Sequence, residues 1–459
     1  MGGGDRMNQD NLTIQTFLDR KWIDIATLSF RHTGDVPYKG TQLEYEFDYA
    51  IANPDRDDHH AVSINYPVVM METYIDANGL LTFIDDIIPS GSSRDFLVRH
   101  LGISDSSIDA QHFILLSTST NAPIGNLRIK ESLSHNVDGD GEAVGQHFTL
   151  EHVIDKSSDF LEYAQERGAA CGGATGAGGA APKLLVRLND ANQVWIDNLQ
   201  LNNSTDIHYL VKFPRGKTSI DSDILRAEYH FYHELHAMGF DTIPIADMRL
   251  EEGVHVPSLW LPRFDIEMDS IGVAKRYGME SLYSILKQRS GAYLDHNDAI
   301  DEVIRKILGS DMFLLNSDFH FDEAAFVTEW VKRDLLNIIF GNSDNHGRNT
   351  SFLRDEKGIR FSPIYDFAPM KADPEGITRL TKWASPMEKG GEYDFGAIAQ
   401  SLEVYVAPAE LMEELQNTAK DLLTIKERLA VRGVPPAILN HPGIGFNYVE
   451  DKLKRWGLL

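Results

Sequence analysis

Apolar and polar positions alternate with period two through much of the first half of the chain. In the second half they recur at helical spacing. Trp22–Phe30 alternates as a half-buried strand should, and Leu43–Phe47 does the same. Ala61–Pro67 reads as a further short strand stopped by proline. Leu80–Ile88 is an apolar helical candidate ending at Pro89, and Arg94–Leu101 a short helix with Gly102 as its stop. Strands are expected at Leu184–Leu188, Val194–Ile196, His208–Phe213 and Ser258–Pro262. Between the last two lies a helix, with N-caps offered by Asp221, Ser222 and Asp223 and a C-terminal stop at Gly239. Its apolar stripe runs Ile224/Leu225, Phe231/Tyr232, Leu235 and Met238, with Glu228 inside it. From about 280 the pattern is mainly helical. Asp322–Phe340 carries Phe326, Trp330, Val331, Leu335, Ile338 and Ile339; Ala409–Val431 carries Leu411, Leu415, Leu422, Ile425 and Leu429 and stops at Gly433. Strand-rich first and helix-rich second predicts an α+β protein, a β-containing small lobe followed by a helical large lobe.

Composition narrows the class. A chain of 459 residues can hold two or three domains or lobes, and 42% apolar with 24% charged residues is ordinary for a soluble globular protein. The net charge of −26 argues against unaided binding to nucleic acid or anionic membrane. Cys171 is the single cysteine, so no internal disulfide framework is expected and a cytoplasmic setting is. No stretch of about 18 apolar residues suggests a membrane span. Residues 1–19 are expected to be a disordered or tag-like N-terminus, since Met1-Gly2-Gly3-Gly4-Asp5-Arg6 has no apolar core. Asn136–Gly141 resembles half a calcium loop, but His147 stands where the twelfth-position acid belongs, so it reads as an acidic turn.

The candidate chemistry centres on the polar run Gly341–Ser351, directly after the apolar Leu335–Phe340. Phosphoryl transfer needs a divalent metal on hard oxygen ligands, a cation for the phosphates and a base for the acceptor hydroxyl. Kinases space an Asp base and a metal-binding Asn five residues apart on a loop after a helix, with a second metal-binding Asp downstream. Asp344 and Asn349 have that separation, and Asp366 follows a strand–turn–strand candidate through 355–361. Alone, the 344–349 run reads more readily as a polar helix-terminal turn, and Asp366 in context shifts the balance toward a phosphotransfer site. His346 with His320 lacks the spacing of a transition-metal pair. Lys212 lies among apolar strand neighbours, where a lysine is commonly an edge charge or a snorkelling stem. Glu228 changes that balance, because a carboxylate in an apolar stripe needs a partner or a path to solvent. Gly168–Ala181 reads as a flexible linker, or as a Gly-rich turn that brings backbone N–H groups to phosphates. Arg263-Phe264-Asp265 falls where a link between lobes would lie, with Phe264 either flanking an adenine or filling core.

These residues together resemble the HipA-like serine/threonine kinases, the toxins of bacterial toxin–antitoxin pairs. The resemblance runs over about 20–440. It rests on Gly341–Ser351 with Tyr365-Asp366, on Gly178-Gly179-Ala180-Ala181-Pro182-Lys183, on Lys212-Phe213-Pro214, on Arg263-Phe264-Asp265, and on Phe83–Pro89 with Ile124–Arg128. Arg348 stands where the family more often has Lys. The resemblance implies a bilobal protein-kinase-like fold with an N-terminal α/β subdomain and a mainly helical C-terminal lobe. The lobes would be 20–265, comprising the subdomain 20–150 and the Gly-rich loop with the nucleotide-lysine sheet 168–265, and then the catalytic lobe 266–459. It implies Asp344 as catalytic base within a motif that includes His346 and Arg348, with Asn349 and Asp366 as magnesium ligands. Lys212, paired with Glu228, would hold ATP phosphates; Gly178, Gly179, Lys183, Arg263 and Phe264 would complete the nucleotide site. It implies a protein substrate such as an aminoacyl-tRNA synthetase, and a helix-turn-helix antitoxin that alone contacts DNA. One departure stands out. Where the family often has an autophosphorylated Ser, this chain has Gly176, so either the adjacent Thr175 substitutes or the protein is controlled otherwise. A kinase-fold binding module in a repressor complex, and a small-molecule or lipid kinase, are the competing readings.

Overall fold

The computed structural model describes residues 10–31, 40–120, 123–133, 146–156, 160, 183–197, 206–269 and 273–459. The chain divides into two compact units that interleave in sequence. The first comprises Met1–Val211, Pro262–Arg289 and Ser351–Phe361, and the second Lys212–Leu261, Ser290–Thr350 and Ser362–Leu459.

The first unit opens on an antiparallel five-stranded sheet, in the order Thr73–Asp76, Thr41–Tyr45, Lys21–Phe30, Asp10–Leu18, Leu127–Ile129. Asp10–Leu18 was expected to belong to a disordered start. It is instead a strand paired on both sides, with Leu12 and Ile14 buried in the sheet's core. Its Leu12/Ile14 alternation supplies the apolar face that such a strand needs. Leu97, Leu115 and Leu116, from helices Gly91–His100 and Ile108–Ser119, join the same core. Residues 61–67 are no strand. The carbonyls of Ala61 and Val62 accept from the Arg354 guanidinium, and pairing is limited to one bridge between Ser63 and Tyr66. Within Leu80–Ile88 the helix is a short 3₁₀ turn, Thr82–Asp86.

A second sheet of this unit runs Ile207–Lys212, Lys183–Leu188, Gln193–Ile196, Phe148–Thr149. A third, Gly278–Ser281, Ser351–Asp355, Gly358–Phe361, contains the strand–turn–strand expected before Asp366.

The second unit is mainly helical. Its long helices are Ser219–Ala237, His296–Leu308, Glu323–Phe340 and Pro408–Leu422. The expected helix over 409–431 is two, Pro408–Leu422 and Ile425–Arg432. The break is stabilised by Arg428, whose Nη1 donates to the Asp421 carbonyl that the break leaves free (2.7 Å). Phe231, Phe340, Phe367 and Phe446 meet edge to face at centroid distances of 4.9 to 6.3 Å. Such contacts add to simple area burial. Among the described residues no helix is long and apolar enough to cross a membrane.

Candidate active site

The helix Ser219–Ala237 starts at Thr218 rather than at Asp221. Thr218 and Asp221 form a reciprocal capping box that satisfies first-turn donors. The buried stripe Ile224, Leu225, Phe231, Tyr232 and Leu235 fixes the helix's rotation, and this turns Glu228 inward to 3% exposure. Its carboxylate accepts from Lys212 Nζ at 2.5 Å and from the Tyr232 hydroxyl at 2.9 Å. Lys212, the last residue of its strand, also donates to Asp366 Oδ1. One ammonium is thus shared by two carboxylates. Burial would lower the Lys212 pKa, but Asp366 and Glu228 outweigh it and hold the group well above the usual lysine range. Burial also pushes the Tyr232 hydroxyl far up, so it stays a donor to Glu228 while it accepts from the Phe367 N–H (3.2 Å).

Asp366 follows Ile364, whose backbone pairs with Asp241 and Ile243 (2.8 and 3.3 Å). Asp366 has φ of 51°, a left-handed conformation unusual outside glycine. Strain of this kind persists only where the surroundings over-determine it. Here the flanking Tyr365 hydroxyl donates to the Arg348 carbonyl, and Phe367 is locked in the aromatic cluster.

The loop carrying Asp344 begins where helix Glu323–Phe340 ends, at Gly341 with φ of 72°. Asn349 Nδ2 donates to the Asp344 carbonyl (2.7 Å), and His346 Nε2 lies 3.5 Å from Asp344 Oδ1. The Asn349 side-chain oxygen is buried and has no hydrogen-bond partner. An orphaned amide oxygen is a hard donor, which with the carboxylates of Asp344 and Asp366 would suit magnesium better than a softer metal.

Two supporting residues escape sequence reasoning. Asp334 is fully enclosed and accepts from Arg379 Nη2 (2.8 Å), Trp383 Nε1 (2.9 Å) and Asn345 Nδ2 (3.3 Å). Asn345 in turn accepts two backbone N–H groups at its carbonyl, from Leu380 and Thr381. Burial would raise the Asp334 carboxyl; the Arg379 guanidinium and His296 outweigh it and hold it well below the usual range. The signal was present, since Asp334 interrupts an apolar helical stripe just as Glu228 does.

Lys212, Glu228 and Asp366 are therefore brought together, and so are Asp344, His346 and Asn349. Lys183, Arg263 and Phe264 belong to the other unit. Lys183 is buried at the head of its strand, and Phe264 is half-buried. The Arg263 guanidinium, 1% exposed, donates to Asp197 (2.5 Å), Asp265 (2.5 Å) and the Pro123 carbonyl (3.2 Å). A buried cation must be neutralised locally, and these carboxylates do so. Thr175, Gly178 and Gly179 lie outside the described residues.

A family model described as the HipA-like C-terminal domain matches residues 175–424. Y4mE, a candidate kinase of Sinorhizobium fredii, is 26% identical over 172 residues, which is 36% of this chain and 35% of that protein. The matched stretch thus spans about a third of that relative's length. HipA of Shewanella oneidensis, solved with HipB and its operator DNA, matches with a TM-score of 0.60 at 17% identity, over 97% of this chain and 96% of that one. The likeness is one of fold, α+β and kinase-like. The Helicobacter pylori proinflammatory kinase CtkA matches at 15% identity with a TM-score of 0.37, over 62% of this chain and 91% of its own.

Proposed function

The chain belongs to the family of the HipA-like C-terminal domain, and from that premise we propose that it is an ATP- and magnesium-dependent serine/threonine protein kinase. It acts in the cytoplasm as a growth-arresting toxin. One observation carries the reading: the Lys212 ammonium is held between Glu228 and Asp366 in the same unit that holds the buried, unpartnered oxygen of Asn349.

Bound magnesium and ATP supply the phosphoryl group and the charge that stabilises its transfer. Asn349 Oδ1 and the Asp366 carboxylate are the oxygens that would hold the metal. Lys212, aimed by Glu228, holds phosphate oxygens. Asp344 orients the acceptor hydroxyl of a Ser or Thr side chain and takes its proton at the carboxylate. His346 Nε2 stands 3.5 Å from that carboxylate, and Arg348 adds positive charge to the loop. By the family resemblance Lys183, Gly178, Gly179, Arg263 and Phe264 are candidate nucleotide contacts, and Thr175 is the candidate for self-modification.

HipA of Shewanella oneidensis is described with HipB and operator DNA. By extension this chain binds a helix-turn-helix antitoxin, and DNA is reached through that partner. The acidic net charge of −26 suits such a division. The protein substrate is of the aminoacyl-tRNA synthetase type.

The test is transfer from labelled ATP in cell extract. The wild-type chain labels one or a few proteins on Ser or Thr, and Asp344→Ala labels none. Equal labelling by both, or none by either with magnesium present, rejects the kinase.

A further inference from the structure

The loop Asp57–Val62, in the first unit, is held with unusual completeness. Arg354, 1% exposed, donates from Nη1 to the carbonyls of Asp57 (3.2 Å) and Asp58 (2.8 Å), and from Nη2 to those of Ala61 and Val62 (both 3.3 Å). Asn126 Nδ2 takes the His59 carbonyl (2.9 Å), and the Tyr49 hydroxyl takes that of His60 (2.7 Å). Six consecutive carbonyls are thereby anchored, and the side chains between them are set in fixed directions.

Those side chains converge. The donor atoms of Asp58, His59 and His60 all lie within 4.8 Å of one another. His60 Nδ1 is 2.9 Å from Asp58 Oδ1, and His59 Nδ1 is 3.7 Å from Asp58 Oδ2. Ligands of a tetrahedral ion at about 2.0–2.1 Å stand about 3.3 Å apart, so small side-chain shifts suffice. His59 Nδ1 is buried without a hydrogen-bond partner. Both imidazoles line a cavity of about 540 Å³, which Lys275, Arg276 and Glu356 also border.

The local hydrogen bonding is frustrated. His60 Nδ1 lies 2.9 Å from Asp58 Oδ1 and equally 2.9 Å from Arg56 Nη2. With a proton on Nδ1, the ring satisfies Asp58 and opposes the Arg56 donor. Without it, the ring accepts from Arg56 and turns a lone pair on the carboxylate. Neither tautomer satisfies both. A cation that accepts lone pairs from all three groups at once removes the conflict. The Arg56 guanidinium, which also donates to Asp58 Oδ2 from Nε (2.9 Å), occupies the cation's place, and its side chain is 43% exposed.

We propose that Asp58, His59 and His60 form a site for a divalent transition-metal ion of the zinc class, with Arg56 as its displaceable stand-in. Two imidazoles and one carboxylate leave a fourth position open toward the cavity, the arrangement of an exchangeable rather than a closed structural site. Nitrogen donors set it apart from the all-oxygen magnesium ligands proposed above.

The experiment is a cobalt and zinc titration of the tag-free, chelator-treated full chain with excess magnesium present. It is read by visible absorption and calorimetry. The background is Asn349→Ala/Asp366→Asn, so that the other metal site is silent. One ion per chain is expected, with the ligand-field bands of nitrogen coordination. His59→Ala/His60→Ala weakens binding by at least about 100-fold, at an unchanged melting temperature in chelator. Arg56→Gln strengthens it, because the competitor is gone. Absence of the bands, an identical titration by the double-histidine variant, or weaker binding by Arg56→Gln overturns the proposal.

Discussion

Glu228 sits in a stripe that should be apolar, and burial of an unpaired charge is costly. The structure resolves this by pairing it with Lys212 and Tyr232. Glu228→Gln keeps the shape and removes the charge that aims Lys212. Expected is a kcat lower by about 10²-fold with a stability loss of only about 1–3 kcal/mol, because Asp366 still holds the ammonium. Phosphotransfer rates and urea melts on the same variant check this; a loss of stability without loss of rate would make the pair purely structural. The ion pair of Arg263 with Asp197 was not legible: the two residues are 66 apart in sequence, and no local pattern announces a contact at that separation.

At the scale of elements, boundaries were legible where a residue's own geometry enforces them. Gly341 is one such place. Its φ of 72° suits glycine, and an added Cβ would meet Ile444 Cγ1 at 2.9 Å. Gly341→Ala therefore costs about 1–2 kcal/mol for the left-handed conformation alone, and displaces the loop that carries Asp344. A lower urea midpoint together with a lower kcat is expected; an unchanged kcat would separate the helix stop from the site. Boundaries set by individual side-chain hydrogen bonds were not legible. The break between Leu422 and Ile425 is capped by Arg428, and the failed strand at 61–67 gives its carbonyls to Arg354, nearly 300 residues on. Periodicity sees neither, since it registers which face is apolar and not which carbonyl is already taken.

For the whole molecule, the two units draw on alternating stretches of sequence, so no cut in the chain separates them cleanly. The sheet-rich and helix-rich character of the halves was nonetheless visible, because it depends on hydrophobic period alone. The spacing of Asp344, Asn349 and Asp366, on which the proposed catalysis rests, is local to one loop and the segment after one strand pair, and so could be read from the sequence. The proposed toxin has two separable activities, catalysis and antitoxin binding. Asp344→Ala should therefore retain its antitoxin at wild-type affinity while losing transfer, measured by calorimetry with the purified partner. A parallel loss of both would tie partner binding to the catalytic loop.

The shared ammonium of Lys212 has a thermodynamic consequence. Asp366 is already neutralised, so on the proposed reading a metal ion arriving alone must compete with an intramolecular cation for the same carboxylate. A nucleotide offers Lys212 replacement anions and releases Asp366 at the same moment. Metal and nucleotide then each raise the other's affinity by one common factor, and the lysine is the currency of that coupling. Replacing Lys212 by Met would abolish the reciprocity before it abolished either ligand, leaving a protein that takes up its metal more readily than before and no longer registers whether nucleotide is there.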